Sequence, residues 1–177
     1  MIKNVSESIM LLMLVSFLAS CTALQPARGS KKTTRSTSRT TTKKKNLSES
    51  SLRRQIAKTA EKYKGVKYKY AGKTPKGFDC SGFTSYVYDK HDILVSPSSR
   101  AQAKIGKKIS TRKAQAGDLA FFGSRGKITH VALVVSNSRD GLVVAHSTSS
   151  KGVMIQNISK SSYWKPKLLF TRDIISP

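Results

Sequence analysis

Apolar positions change their spacing partway along the chain, from helical to alternating. Leu52, Ile56, Ala57, Ala60 and Tyr63 recur so that they share one helix face. Ser50 and Ser51 can cap that helix, and Gly65 stops it. Val66 to Tyr70 is aromatic and alternating, after which Gly72, Pro75 and Gly77 break the chain into a loop. Cys80 to Lys90 predicts a second helix, with Phe83, Val87 and Tyr86 at helical spacing and Asp79 as its N-cap. Pro97 to Ile109 is undecided beyond a short helix over Ala101–Lys104.

From there on, short runs of Val, Ile, Leu and Phe predict strands over Leu119–Phe122, Ile128–Val135, Gly141–Ala145, Val153–Gln156 and Leu168–Arg172. Asn137 to Gly141 has the residues of a hairpin turn. Helices followed by an antiparallel meander predict an α+β domain over residues 49–177, and no internal repeat is visible.

The first 48 residues have a different character. Ile9 to Leu18 is an almost unbroken apolar run, short for a bilayer span but of signal-peptide length. It leads into Leu18-Ala19-Ser20-Cys21, which resembles the bacterial lipobox, whose cysteine is acylated and becomes the N-terminus after cleavage. Residues 1–20 then form a lipoprotein signal peptide and Cys21 the lipid attachment site. An ordinary secretory signal with an incidental cysteine, or an uncleaved membrane helix, is the alternative. Residues 21–48 are rich in Ser, Thr, Lys and Arg, carry no acidic residue and cannot bury a core. Such a composition predicts a disordered basic tether.

Charge and cysteine content narrow the function. The chain has 33 Lys and Arg against 9 Asp and Glu, a formal +24, of which only part lies in the tether. A basic folded part suits polyanions outside the inner membrane, such as anionic headgroups, lipopolysaccharide or peptidoglycan carboxylates. Nucleic acid is disfavoured by the export signal and by the absence of a base-stacking pattern among the aromatics. The tether can equally be a solvated spacer. Cys21 and Cys80 are the two cysteines. If lipid occupies the first, Cys80 is a lone thiol in an exported protein, either buried and inert or kept for its reactivity.

Cys80 follows the Asp79 cap, so it lies in the first turn of a helix, where free N–H groups and the macrodipole favour negative charge. That position predicts a lowered thiol pKa and an oxyanion site built from backbone N–H groups. A buried structural cysteine fits the same local pattern. His130 opens the most regular strand, and His146 ends the next one across a hairpin. The two imidazoles can therefore be neighbours, one as base and the other fixing its tautomer, although histidines in apolar strands are often only packed. His91 reads as solvated. Two histidines and one cysteine do not form a zinc spacing, and no cofactor is expected.

Five segments, in order, resemble the NlpC-type cell-wall cysteine peptidases of the papain-like superfamily. They are Tyr68-Lys69-Tyr70-Ala71-Gly72, Asp79-Cys80-Ser81-Gly82-Phe83, Ala116-Gly117-Asp118-Leu119-Ala120-Phe121-Phe122, Thr129-His130-Val131-Ala132-Leu133 and Ala145-His146-Ser147. The resemblance covers roughly residues 52–173. It implies a papain-like core, with Cys80 as nucleophile, His130 as base and His146 as orienter. It further implies Tyr68 at the oxyanion or substrate, Asp79 and Ser81 against the peptide, and Ser99 in a substrate loop. The short lipoprotein form looks most like the Spr-like murein endopeptidases, which implies peptidoglycan stem peptides as substrate, a membrane anchor through Cys21, and a monomer by default. Two departures stand out. Pro97-Ser98-Ser99-Arg100 replaces a common Pro-Arg-Ser run, and Ala71 replaces the first glycine of a common pair. A non-catalytic envelope-binding lipoprotein, or an amidase or acyltransferase on the same fold, is the other reading.

Overall fold

The computed structural model describes residues 37–176, with side chains from residue 48 onward. The signal segment and Cys21 lie outside the described residues. Helix α1 spans Thr37–Lys62, β1 Lys73–Thr74, β2 Gly77–Phe78, α2 Cys80–Asp89 and α3 Ser99–Gln102. Strands β3 (Lys107–Ile109), β4 (Leu119–Ser124), β5 (Lys127–Ser138), β6 (Gly141–Thr148), β7 (Gly152–Asn157) and β8 (Leu168–Asp173) follow. The five predicted strands are all present, each longer by one to four residues. The short helix falls at Ser99–Gln102 rather than Ala101–Lys104. Among the described residues no helix is long and apolar enough to cross a membrane.

Helix α1 starts well before Ser50, so residues 37–48, assigned to the tether by composition, are helical here. Once the packed half of a helix has nucleated, extension adds one hydrogen bond per residue, and lysine tolerates it well.

β3 to β8 form one antiparallel sheet in the order β3-β8-β4-β5-β6-β7. Its period of two separates two cores. Odd-numbered residues Leu119, Phe121, Val131, Leu133, Ala145 and Val153 face α1 and α2, burying Ile56, Ala60, Phe83, Val87 and Tyr88. Even-numbered Ala120, Phe122, Ala132, Val134, Leu142 and Val144 face the other way, where Ile158, Trp164 and Leu168 cover them. This is the α+β arrangement of helices packed on an antiparallel sheet that the sequence predicted.

Arg53 locks α1 to the sheet. Its guanidinium bonds Asp118 at 2.6 Å, Asp173 at 2.7 Å and Glu49 at 2.9 Å, and the side chain is 3% exposed. A buried arginine is tolerated when several carboxylates pair with it. His91 departs from the solvated reading. It is half-buried, with its Nε2 2.9 Å from Thr59 Oγ1, and so ties the end of α2 to α1.

Two glycines explain the short motifs before and after the cysteine. The Asp79 N–H donates to the Gly72 carbonyl at 3.0 Å. A β-carbon on Gly82 would collide with that same carbonyl, and one on Gly72 with the Gly77 carbonyl. Only glycine lets the first turn of α2 rest directly on the preceding loop.

Candidate active site

Helix α2 is aimed by its cap. Asp79 has an extended backbone, and its carboxylate accepts from the Gly82 N–H at 2.6 Å and from the Ser81 hydroxyl at 3.1 Å. Cys80 is thereby the first residue of the helix, half-buried, with its thiol free. The segment before it is held alongside. Phe78 accepts from the Lys69 N–H at 3.1 Å and donates to the Lys67 carbonyl at 3.2 Å, so Tyr68 lies beside the approach to Cys80.

The imidazoles come from adjacent strands. His130 Nε2 and His146 Nδ1 are 3.0 Å apart, and both rings are buried on the even-numbered face. Trp164 covers them. Its ring lies 4.5 Å from the His130 ring at 30°, and 5.0 Å from that of His146. Phe122 packs edge-on to the same indole. The indole thereby shields most of both rings from solvent.

A cavity of about 450 Å³ brings Cys80, His130 and Tyr68 onto one surface, with Trp164, Tyr163 and the Ser147–Lys151 turn around them. Asp79, Ser81 and Ser99 do not line it. The Asp79 carboxylate is engaged in capping. The Ser81 hydroxyl is 3.1 Å from the Pro97 carbonyl and fixes the following loop. Ser99 opens α3, whose Gln102 is fully buried and donates to the Ser81 and Ser96 carbonyls at 3.0 and 2.7 Å. Those four residues shape the base of α2 from outside the cavity.

The electrostatics differ from the helix-terminus expectation in one respect. Burial pushes the Cys80 thiol up, while backbone N–H groups of Val131, Ser81 and Cys80 itself pull it down. Burial also lowers His130 to about 3, reinforced by the charge repulsion of His146, and lowers His146 to about 4. The resting site thus holds a neutral thiol and two neutral imidazoles, because desolvation outweighs the helix end. Tyr68 is raised by burial, then by the neighbouring charges of Cys80 and Asp79, so its phenol stays protonated and able to donate. A neutral thiol, a neutral imidazole and two kinds of donor suffice for acyl transfer, with the thiol proton moving as the sulfur attacks. Among the described residues no cluster of His, Cys, Asp and Glu is placed to share a metal ion.

Sequence reasoning missed Trp164 and Gln102. The indole sits in an irregular segment, and the amide lies at the end of a one-turn helix, so neither has a periodic signal.

Comparison with known proteins agrees with this geometry. The NlpC/P60 family model matches residues 65–173. The chain is 44% identical over 124 residues to the gamma-DL-glutamyl hydrolase of Bacillus subtilis (strain 168), covering 67% of this chain and 29% of that protein. It is 34% identical over 117 residues to the murein DD-endopeptidase MepS/murein LD-carboxypeptidase of Escherichia coli (strain K12), covering 64% and 58% respectively. The chain therefore spans 58% or less of the length of these two relatives. The crystal structure of the NlpC/p60 domain of the peptidoglycan hydrolase SagA superposes with a TM-score of 0.58 at 33% identity, covering 67% of this chain and 96% of that one. With its fold, its ordered motifs and the match over residues 65–173 in agreement, the chain belongs to the NlpC/P60 family.

Proposed function

We propose that this protein is a cysteine endopeptidase that hydrolyses amide bonds in peptidoglycan stem peptides or their cross-links. Cys80 is the nucleophile, His130 the general base and His146 the residue that orients it. The observation that carries the reading is a cavity lined by a helix-N-terminal thiol and by one imidazole of a hydrogen-bonded pair. The names of the B. subtilis and E. coli relatives, a glutamyl hydrolase and a murein peptidase, point to the same class of substrate.

In the reaction, the Cys80 sulfur attacks the scissile carbonyl carbon as its proton passes to His130. The oxyanion is met by the Cys80 N–H and the Tyr68 hydroxyl. His130 returns the proton to the leaving amine and leaves an acyl-enzyme thioester. It then takes a proton from water, the hydroxide attacks the thioester, and Cys80 departs with that proton. His146 holds the imidazolium formed in each half-reaction. We further propose that the protein acts at the cell envelope as a monomer, anchored by lipid on Cys21, on the strength of the apolar run and Leu-Ala-Ser-Cys at residues 18–21.

The test is digestion of purified sacculi by the full-length chain kept in detergent, beside a Cys80→Ala variant, with the fragments identified by mass spectrometry. New amino and carboxyl ends released by the parent alone are expected, and their identity names the bond. Intact sacculi across the whole pH range would leave the envelope-binding reading. Acyl transfer to an added amine without hydrolysis would leave the transferase one. Labelling with a radioactive fatty acid, lost in Cys21→Ala, tests the anchor.

A further inference from the structure

Beyond His146 the imidazole pair ends in two buried polar atoms without partners, His146 Nε2 and Gln156 Oε1. The register of β6 and β7 sets His146 opposite Met154 and Val144 opposite Gln156. Gln156 therefore leaves the same sheet face as His146, one diagonal step along, within reach for a long side chain. We propose that Gln156 is a positioning residue that selects the tautomer of both histidines. Its amide oxygen accepts from His146 Nε2–H, His146 Nδ1 accepts from His130 Nε2–H, and His130 Nδ1 is left with its lone pair for the thiol proton. This inference rests on the peptidase reading of Cys80 and His130.

A neutral imidazole carries one N–H and one acceptor nitrogen. The 3.0 Å contact between His130 Nε2 and His146 Nδ1 thus admits only two arrangements. If His130 donates across it, His130 Nδ1 is an acceptor and serves as a base. If His146 donates, His130 carries its proton on Nδ1 and cannot take one from Cys80. Nothing in the contact itself chooses between these. The choice falls to whatever faces His146 Nε2, and an amide oxygen there requires Nε2–H. Each of the two atoms is buried without a hydrogen bond, and the terminal torsion of a glutamine is soft. Closing a bond between them satisfies both orphaned groups at once, which burial strongly favours.

Two further observations agree. Gln156 raises the pKa of His146, as an acceptor on its N–H does, against the larger lowering by burial. The other titratable or charged groups around the pair are Cys80, Tyr68, Tyr163 and Lys151 on the cavity, and Asp79 at the α2 cap. None of these hydrogen-bonds to His146 Nε2, which is buried.

The experiment uses the full-length chain with ¹⁵N-labelled histidine in detergent. Long-range ¹H–¹⁵N correlation near neutral pH assigns each tautomer, alongside initial rates of fragment release from saturating sacculi. In the parent, His146 and His130 are both expected to be protonated on Nε2. In Gln156→Met, of similar shape but without the oxygen, a mixture of tautomers is expected. Its maximal rate should fall roughly tenfold or more, short of the ~10⁴ seen when a triad holds only the wrong tautomer. Gln156→Glu keeps an acceptor and should restore the parent tautomers and most of the rate, with the acid limb of the pH–rate profile moved upward. Thermal melts of both variants report folding. An Nδ1–H tautomer at His146 in the parent overturns the proposal, as do unchanged tautomers in Gln156→Met, whatever its rate. Intact sacculi together with the expected tautomers would sink the peptidase reading and leave the tautomer assignment standing.

Discussion

The Ser147 hydroxyl donates to the Phe78 carbonyl at 2.7 Å, joining the strand that carries His146 to the segment that leads into Cys80. Both groups are buried. The bond helps fix the separation between the two halves of the site, alongside the backbone bonds of Val153 with Gly65 and Val66. Ser147→Ala leaves that carbonyl with the Lys69 N–H alone and is expected to cost about 0.5–1.5 kcal/mol of stability. Activity is expected to fall further than the unfolded fraction explains, because small displacements of a reacting pair are expensive. Denaturant unfolding beside fragment release at a temperature where the variant is fully folded separates the two effects.

The resting thiol offers a second measurement. Burial keeps Cys80 above its usual range and His130 below its own, so no thiolate–imidazolium pair forms before substrate arrives. Iodoacetamide is expected to alkylate Cys80 near neutral pH no faster than a free thiol of pKa about 8.5. The rate should climb only as the solution passes that value. A plateau extending down to mildly acidic pH would mean a preformed ion pair and would overturn this account of the resting state.

Much of the fold is legible in the residues themselves, and the reason is periodicity. The five strands from Leu119 to Arg172 read correctly because one face must be covered and a one-residue slip would expose it. The cap at Asp79, the helix start at Cys80 and the neighbouring positions of His130 and His146 are legible because each has a local signature, a cap or a place on a regular strand. What escaped depends on contacts between segments distant in sequence. Strand β3 is a three-residue edge that exists only because β8 pairs with it. Trp164 matters because its irregular segment folds back over the histidines. The direction of the Cys80 shift followed from burial, which no helix position announces. The Asp79 and Ser81 side chains engage the cap of α2, a contact that their place beside the nucleophile in sequence does not announce.

The two imidazoles also set the response to acid. Each has an ordinary value of 6.5 when unfolded, and in the fold His130 is lowered to about 3 and His146 to about 4. A histidine whose folded pKa is lowered supplies stability above the unfolded value. That stability is lost as pH falls below it, because the unfolded chain takes up the proton first. Between about pH 6.5 and pH 4 the native state is expected to weaken, by about 2 kcal/mol per imidazole at pH ~5. Unfolding midpoints across that range, in the parent and in a His130→Asn/His146→Asn variant, are the check. A parent whose stability is flat down to pH ~4 would show that the pair protonates without resistance.

The substitution of alanine for glycine at position 71 is not a neutral departure. Ala71 sits at φ +55°, in the left-handed region, while the next residue, Gly72, carries the carbonyl on which α2 rests. The turn must therefore be made whether or not the residue suits it. A β-carbon in that region costs roughly 1–2 kcal/mol, and glycine removes the cost at the expense of a more flexible unfolded chain. Ala71→Gly is expected to stabilise the protein by about 0.5–1 kcal/mol, a rise of roughly 2–4 °C in Tm. Ala71 is exposed and loses no packing, so the effect should appear in stability alone. Ala71→Val, β-branched and still less suited to positive φ, should move Tm the other way. Arg125, at φ +49° in the exposed turn between β4 and β5, supplies a control of the same kind away from the site. If Arg125→Gly stabilises and Ala71→Gly does not, the strain at residue 71 is absent and the loop before Cys80 adopts another conformation.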